Sequence, residues 1–375
     1  MNLSYWEHTT WLSDIDFAVI GSGIVGLSCA LTLKDKHPEA KIVVFEKGML
    51  PSGASTKNAG FACFGSISEI VDDLTTHSED EVIQLLKDRV NGLQLLRKNL
   101  GDAAIDFQKY GGYELFDTND VETYNTCLEH IPYINNLLKE VFFNKKEVFS
   151  VKKDPFSFKN VQKNLIFNSE EGQLNAGNMM QSLIQKASEK GIFVLNSAEI
   201  TSFSTKNDQI SLILNNSEEI SVKKVCIATN GFAKQFLNEK MAPARAQVLI
   251  TQPISNLKLK GTFHLDKGYY YFRNIDNRIL LGGGRNLDFK TEETTQLGLT
   301  ELIQNKLEQL LTTTILPDIP FKIERRWSGI MGVGPKKKPI IKEVQPNIYC
   351  GVRLGGMGVA IGSIIGNQLA KLAAK

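Results

Sequence analysis

The run Gly21-Ser22-Gly23-Ile24-Val25-Gly26 spaces its glycines as G-x-G-x-x-G, and an acid, Glu46, follows about twenty residues on. Residues of these types at this spacing suit one task, the binding of a dinucleotide. Gly21 permits a tight turn, Gly23 lets the backbone approach a diphosphate, and Gly26 lets a helix pack closely on its strand. The N-terminus of the helix that follows, with Ile24 and Val25 leading into it, would offer free N–H groups and a partial positive charge to the phosphates. Glu46, with Lys47 beside it, ends the next strand, where a carboxylate accepts the ribose hydroxyls. An acid there disfavours a 2′-phosphate, so NADP is not expected.

Two further segments favour FAD over NAD. The stretch Ser52 to Gly60 holds Ala54, Ser55, Thr56, Asn58, Ala59 and Gly60. Small residues with hydroxyl and amide groups suit a loop running beneath a ribityl chain and a flavin ring. Near the C-terminus, Gly355-Gly356-Met357-Gly358-Val359 precedes a helical stretch, a second turn with free N–H groups at a helix start. One nucleotide needs one such turn, whereas a cofactor with an extended middle uses two.

The remaining chemistry is sparse. His8, His37, His77, His130 and His264 sit in no motif, the five cysteines are scattered, and neither a nucleophilic triad nor a clustered metal site is legible. The run Tyr269-Tyr270-Tyr271-Phe272 reads as a strand. Either Tyr269 and Tyr271 or Tyr270 and Phe272 should face a cavity, because side chains alternate. The run Lys336 to Lys338 reads as a solvated face or as positive charge near the cofactor.

The elements that position these residues follow from pattern. Asp16 to Ile20 and Lys41 to Phe45 are short apolar runs that read as buried strands, with a helix from Leu27 to Lys36 between them. Glu79 to Leu100 and Asn178 to Lys190 carry helical spacing. Ala246 to Thr251, Tyr269 to Arg273 and Arg278 to Leu281 suggest antiparallel strands, and a last helix is expected from Ala360 to Ala373. The predicted fold is α/β, a Rossmann-like dinucleotide domain interleaved with an α+β substrate domain built on an antiparallel sheet. The cofactor domain would comprise 1–75, 165–242 and 323–375, and the substrate domain 76–164 and 243–322. A net charge of +2 without a basic stripe argues against nucleic acid as partner, and no apolar run reaches the length of a membrane span. Unpatterned cysteines and a polar N-terminus point to the cytoplasm.

In order along the chain, Ser4-Tyr5-Trp6, the segment Asp16 to Leu31 with Glu46, Gly53 to Phe61, Val225 to Gly231, Trp327-Ser328-Gly329 and Gly355 to Ser363 resemble the D-amino-acid oxidase-like FAD oxidoreductases. That family includes glycine, sarcosine and γ-glutamylputrescine oxidases. The resemblance implies FAD held non-covalently, with Thr229 and Gly231 near it, and a large sheet roofing the flavin. It implies oxidation of the C–N bond of an amine or amino acid to an imine by hydride transfer to flavin N5, with oxygen or another acceptor taking the electrons. An FAD-dependent 2-hydroxy-acid or polyol dehydrogenase, or a flavin-binding protein without this activity, is the alternative. Two departures concern the substrate: the arginine often found after Trp-x-Gly is replaced by Ile330-Met331, and no flavin-linking cysteine lies in Lys336 to Ile341. Arg273 and Arg353 are then the candidates for a carboxylate anchor, with Tyr271 beside Arg273 on the strand.

Overall fold

The computed structural model describes residues 3–375 apart from 144, 146, 207 and 208. Two large sheets organise it. In the first, Ile348–Val352, Glu218–Ile227, Ile15–Ile20, Ile42–Phe45 and Phe193–Leu195 lie side by side and parallel, with Ile340–Gln345 antiparallel at one edge. Ile15–Ile20, Ile42–Phe45, Ile348–Val352 and the last three residues of Glu218–Ile227 are almost continuously apolar because both faces are covered there. Phe17, Val19, Ile42 and Val44 point into one core, beneath the helices Ile24–Lys36, Ala176–Glu189 and Gly358–Ala373. Ala18, Ile20, Val43 and Phe45 point into a second core. Ile200–Lys206 and Gln209–Leu214 extend that second core as a meander paired to the first half of Glu218–Ile227.

The second sheet has the order Ile323–Val333, Ala242–Thr251, Arg278–Gly283, Tyr270–Ile275, Thr262–Leu265, Gly112–Leu115, Asn164–Asn168 and Phe149–Lys153. Every pairing is antiparallel except Thr262–Leu265 with Gly112–Leu115. Phe263, Phe272, Tyr270 and Leu281 of one face pack with the helix Glu301–Leu310. The expected boundaries at 165 and 323 cut into this sheet: Asn164–Asn168 and Ile323–Val333 are bonded within it, because their ladder partners are Phe149–Lys153 and Ala242–Thr251.

The long helix spans Glu79–Leu100, opened by a Ser78/Glu81 capping box and closed at Gly101. The last helix begins at Gly358 rather than Ala360, which brings its free N–H groups two residues closer to the glycine turn. Residues 52–60, expected as loop, contain one helical turn, Ala54–Lys57. Phe61–Ala62 then pairs with Gly172–Gln173 in a two-stranded sheet. Among the described residues no helix is long and apolar enough to cross a membrane.

Candidate active site

A cavity of about 570 Å³ runs from the Gly21 turn to the second sheet. Its volume lies within the range of cofactor and ligand sites. Gly21, Gly23, Ile24, Val25, Glu46, Lys47, Ala54, Ser55, Asn58, Ala59, Thr229, Gly355, Gly356, Met357, Gly358 and Val359 all line it. These come from five separate stretches of sequence, which the parallel sheet gathers at the carboxyl ends of its strands.

The floor is built by backbone geometry. Gly21 has φ +104° and donates its N–H to the Phe45 carbonyl at 2.8 Å. Neither helix facing the cavity is capped by its own N-cap side chain, at Gly23 or at Met357. Ser55 Oγ accepts from Ile24 N at 3.0 Å and holds the Ala54–Lys57 turn against the first helix. Glu46 is buried, and its carboxylate accepts from Ser22 N at 3.2 Å, Ser22 Oγ at 2.8 Å, Gly48 N at 3.0 Å and Ser52 Oγ at 3.0 Å. Lys47 Nζ stands 3.7 Å from the centre of the Phe232 ring. Thr229 Oγ1 is buried on the cavity wall without a partner among the described residues. A buried hydroxyl without a partner costs free energy until a ligand atom meets it. Two helix N-termini without a cap from their own N-cap residue, an acid at the ribose position and a waiting hydroxyl fit a dinucleotide with an extended middle.

Thr56, Gly60 and Gly231 do not line the cavity. Thr56 is exposed: on the short turn, Ala54 and Ser55 face inward and the next residue is carried about 100° round the axis. The Gly231 position packs against the Met331 backbone, where a Cβ would lie 2.5 Å from the carbonyl oxygen. Gly60 lies behind the wall with φ +72°. Gly26 supports the turn from the helix side.

The ceiling holds Tyr271, Tyr269 and His264, while Tyr270 and Phe272 point into the core beyond the sheet. Alternation therefore resolves in favour of the odd-numbered tyrosines. Burial pushes the Tyr271 hydroxyl up to about 12, so it stays neutral and can donate. Phe61 meets both His264 and Tyr271 edge-on, with ring centres 5.3 and 5.6 Å apart.

Neither expected arginine reaches the cavity. Arg273 lies on the cavity side of its strand as Tyr271 does, but one step further along, where the small sheet intervenes. Its Nη1 donates to the Gly60 carbonyl at 3.1 Å and the Leu174 carbonyl at 2.8 Å. Burial lowers its pKa to about 10. Arg353 adopts φ +65° and spends its guanidinium on the carbonyls of Lys338 and Lys240. Both are therefore structural clamps. Arg273→Ala should cost about 2–4 kcal/mol in urea unfolding, from a lost buried donor and the volume left behind. The loss should be the same with or without an acidic substrate present.

Of the lysine run, Lys336 and Lys338 are exposed and Lys337 alone meets the wall, paired to Asp73 at 2.6 Å. Trp327 Nε1 donates to the Lys57 carbonyl at 2.9 Å, tying the outer strand of the second sheet to the Ala54–Lys57 turn. Ile330 and Met331 present an apolar wall.

Sequence reading missed a buried cluster of Cys63, Glu171 and His264, whose ligating atoms lie within 4.8 Å of one another. His264 Nε2 contacts Glu171 Oε1 directly. Burial works against the imidazolium, but Glu171, with help from Glu69 and Glu114, outweighs it and raises His264 to about 9. Burial, with the charges of Glu171 and Glu69, pushes the Cys63 thiol up. Burial also raises Glu114 to about 7, against hydrogen bonds from Ser68. The folded state therefore holds the His264 proton more tightly than the unfolded chain. That contribution is complete below about pH 6.5 and is lost as pH rises through about 9. Urea midpoints of the wild type should fall across this interval by the equivalent of about 3 kcal/mol. His264→Gln should flatten that step.

The chain belongs to the FAD dependent oxidoreductase (DAO) family. The family's sequence profile matches residues 16–372. FAD is thus its cofactor. The probable oxidoreductase OrdL of Haemophilus influenzae is 21% identical over 384 residues, covering 96% of this chain and 83% of that protein. Glycine oxidase from Geobacillus kaustophilus superposes with a TM-score of 0.76 at 18% identity, covering 96% of this chain and 94% of that one. L-proline dehydrogenase from P. horikoshii gives 0.75 at 19%, covering 96% and 93%. Iminodiacetate oxidase from Chelativorans sp. BNC1 gives 0.74 at 17%, covering 95% and 94%. At these identities the structural likeness shows the fold, and this DAO-family member shares it from end to end.

Proposed function

We propose that the chain oxidises the C–N bond of an amino acid or amine to an imine, which water then converts to a carbonyl compound and ammonia or an amine. The observation that carries this reading is the single cavity joining the Gly21–Gly26 turn to the Tyr271/His264 ceiling. It gives the cofactor and a small second molecule one shared space. FAD, when bound, supplies the acceptor for the hydride and passes the electron pair to oxygen or another acceptor.

The chain's own residues bind, orient and exclude water. The Gly21–Gly23 backbone and the helix start at Ile24 and Val25 hold the diphosphate. Glu46 accepts from the adenosine ribose, and Lys47 and Thr229 close that end. Ser55, Asn58 and Ala59 flank the extended middle. Gly355 to Val359 present a helix N-terminus, whose partial positive charge stabilises electron density arriving nearby. Phe61, Ile330 and Met331 keep the ceiling dry, and Tyr271 offers a neutral hydroxyl. FAD is held without a covalent link, since no cysteine stands in Lys336 to Ile341. Five buried free thiols support a reducing, cytoplasmic setting.

His264 separates the amine reading from hydroxy-acid oxidation. Taking a hydride from an alcohol calls for a base to take the hydroxyl proton. Held as imidazolium by Glu171, His264 is not that base near neutrality. A panel of amino acids, amines and the matching 2-hydroxy acids, assayed with oxygen or a dye as acceptor, tests the reading. Ammonium or amine release matched by a carbonyl product supports it. Turnover confined to hydroxy acids refutes it.

A further inference from the structure

We propose that Arg285 anchors the carboxylate of the substrate, so that the chain acts on amino acids rather than on simple amines. The inference rests on the C–N reading above and names its substrate class. Three of the other four cations on the cavity wall are paired to acids. Lys267 pairs with Asp72 at 3.1 Å, Lys337 with Asp73, and His264 with Glu171, while Lys47 lies over Phe232. Lys47 lies beside Glu46, whereas Arg285 stands at the second-sheet end: it lines the same cavity, is half-buried, and its guanidinium makes neither a hydrogen bond nor an ion pair among the described residues.

The surroundings explain why it stays unpaired. The acid whose charge reaches it, Glu292, is already committed to Arg245 at 2.8 and 2.9 Å and to Gln247 at 3.0 Å. Burial disfavours the Arg285 cation and lowers its pKa, yet a guanidinium does not give up its proton near neutrality. A partly desolvated, permanent charge facing a cavity is stabilised when an anion enters.

Its position is also fixed. Gly283 and Gly284, with φ +126° and +80°, turn the chain out of the strand Arg278–Gly283 into the short turn Arg285–Leu287. The guanidinium then sits over the Phe289 ring, 4.8 Å from its centre, and Phe289 meets Tyr269 edge-on at 5.9 Å. An aromatic shelf of this kind orients the planar fork while leaving its N–H groups free for a carboxylate. The apolar Ile330 and Met331 offer no competing cation on the neighbouring strand.

Benzoate, a carboxylate that is not oxidised, serves as the probe, with benzamide as its uncharged counterpart. Both are titrated into flavin-loaded protein and followed by the perturbation of the flavin's visible spectrum. Wild type should bind benzoate, and Arg285→Met should bind it about 10- to 100-fold more weakly with FAD content unchanged. Arg285→Lys should recover part of that loss, and benzamide should bind all three alike. Should Arg285→Met fail to fold, Arg285→Gln carries the same comparison. Benzoate affinity equal in wild type and variant, or none in wild type, would overturn the assignment. That outcome is separate from the C–N reading, since turnover of a simple amine with ammonium release would leave that reading standing. Conversely, an Arg285-dependent benzoate site in a protein that oxidises only hydroxy acids would keep the anchor and remove the amine chemistry.

Discussion

Gly26→Ala is expected to leave little folded, flavin-loaded protein. A Cβ at position 26 would lie 1.9 Å from the Gly21 carbonyl oxygen and 3.3 Å from Val19 Cγ1. The first contact is with backbone, and that backbone cannot yield. Gly21 is bonded to Phe45 on one side and packs against the Ala228 carbonyl on the other, where its own Cβ would meet the oxygen at 3.0 Å. The helix Ile24–Lys36 would have to lift away from the sheet, exposing apolar side chains on both. Overpacking of this kind costs roughly 3 kcal/mol or more, a large share of the 5–15 kcal/mol that holds a typical domain together. Gly53→Ala is the control, with nothing within 4 Å of its Cβ and an ordinary φ of −78°. Urea unfolding with flavin content measured on the same samples should show Gly53→Ala near wild type and Gly26→Ala far below it. Equal stability for the two would mean that the helix does not rest on the turn as described.

Gly23→Val should do the opposite, keeping the fold and losing the ligand. The added Cβ meets Ser55 Oγ at 2.8 Å, and that atom is the end of a small side chain which can rotate away. Its rotation frees Ile24 N, and the valine methyls then stand in the cavity at the helix N-terminus, where a diphosphate needs bare backbone. Exclusion of the phosphates should weaken FAD binding by about 1,000-fold or more, roughly 4 kcal/mol of lost contacts. The apoprotein's urea midpoint should stay within about 1 kcal/mol of wild type. Full flavin occupancy in this variant would place the phosphates elsewhere.

The cofactor half of the site was legible because its signals are local. A strand, a glycine turn, a helix and an acid follow one another within a short stretch, and each obeys a period or a steric rule. The long helix Glu79–Leu100 was legible for the same reason, from its apolar spacing. The substrate half was not. Alternation announced that two of Tyr269 to Phe272 face a cavity, but only the packing of Phe263 and Phe272 beyond the sheet decides which two. Cys63, Glu171 and His264 each stand alone in sequence and meet because the small sheet brings Phe61–Ala62 beside Gly172–Gln173 under Thr262–Leu265. Arg273 shows the limit of strand parity. It shares a face with Tyr271, yet two residues carry it past the cavity to the Gly60 and Leu174 carbonyls. Arg285, beyond two left-handed glycines, lies outside any strand pattern and was passed over. The helix Val121–Leu137, with Pro132 inside it, likewise carries no clean helical signal.

The central claim is that this cavity brings FAD and an amino acid together for oxidation at carbon and nitrogen. Anaerobic mixing of the flavin-loaded protein with amino acids and their 2-hydroxy counterparts tests it most directly. The account predicts that at least one amino acid bleaches the flavin's visible absorbance, with one carbonyl product and one ammonia or amine formed per flavin, and that its hydroxy counterpart does not. Bleaching by the hydroxy acid alone, or an acyclic amino acid that bleaches the flavin without releasing ammonia or an amine, would contradict it.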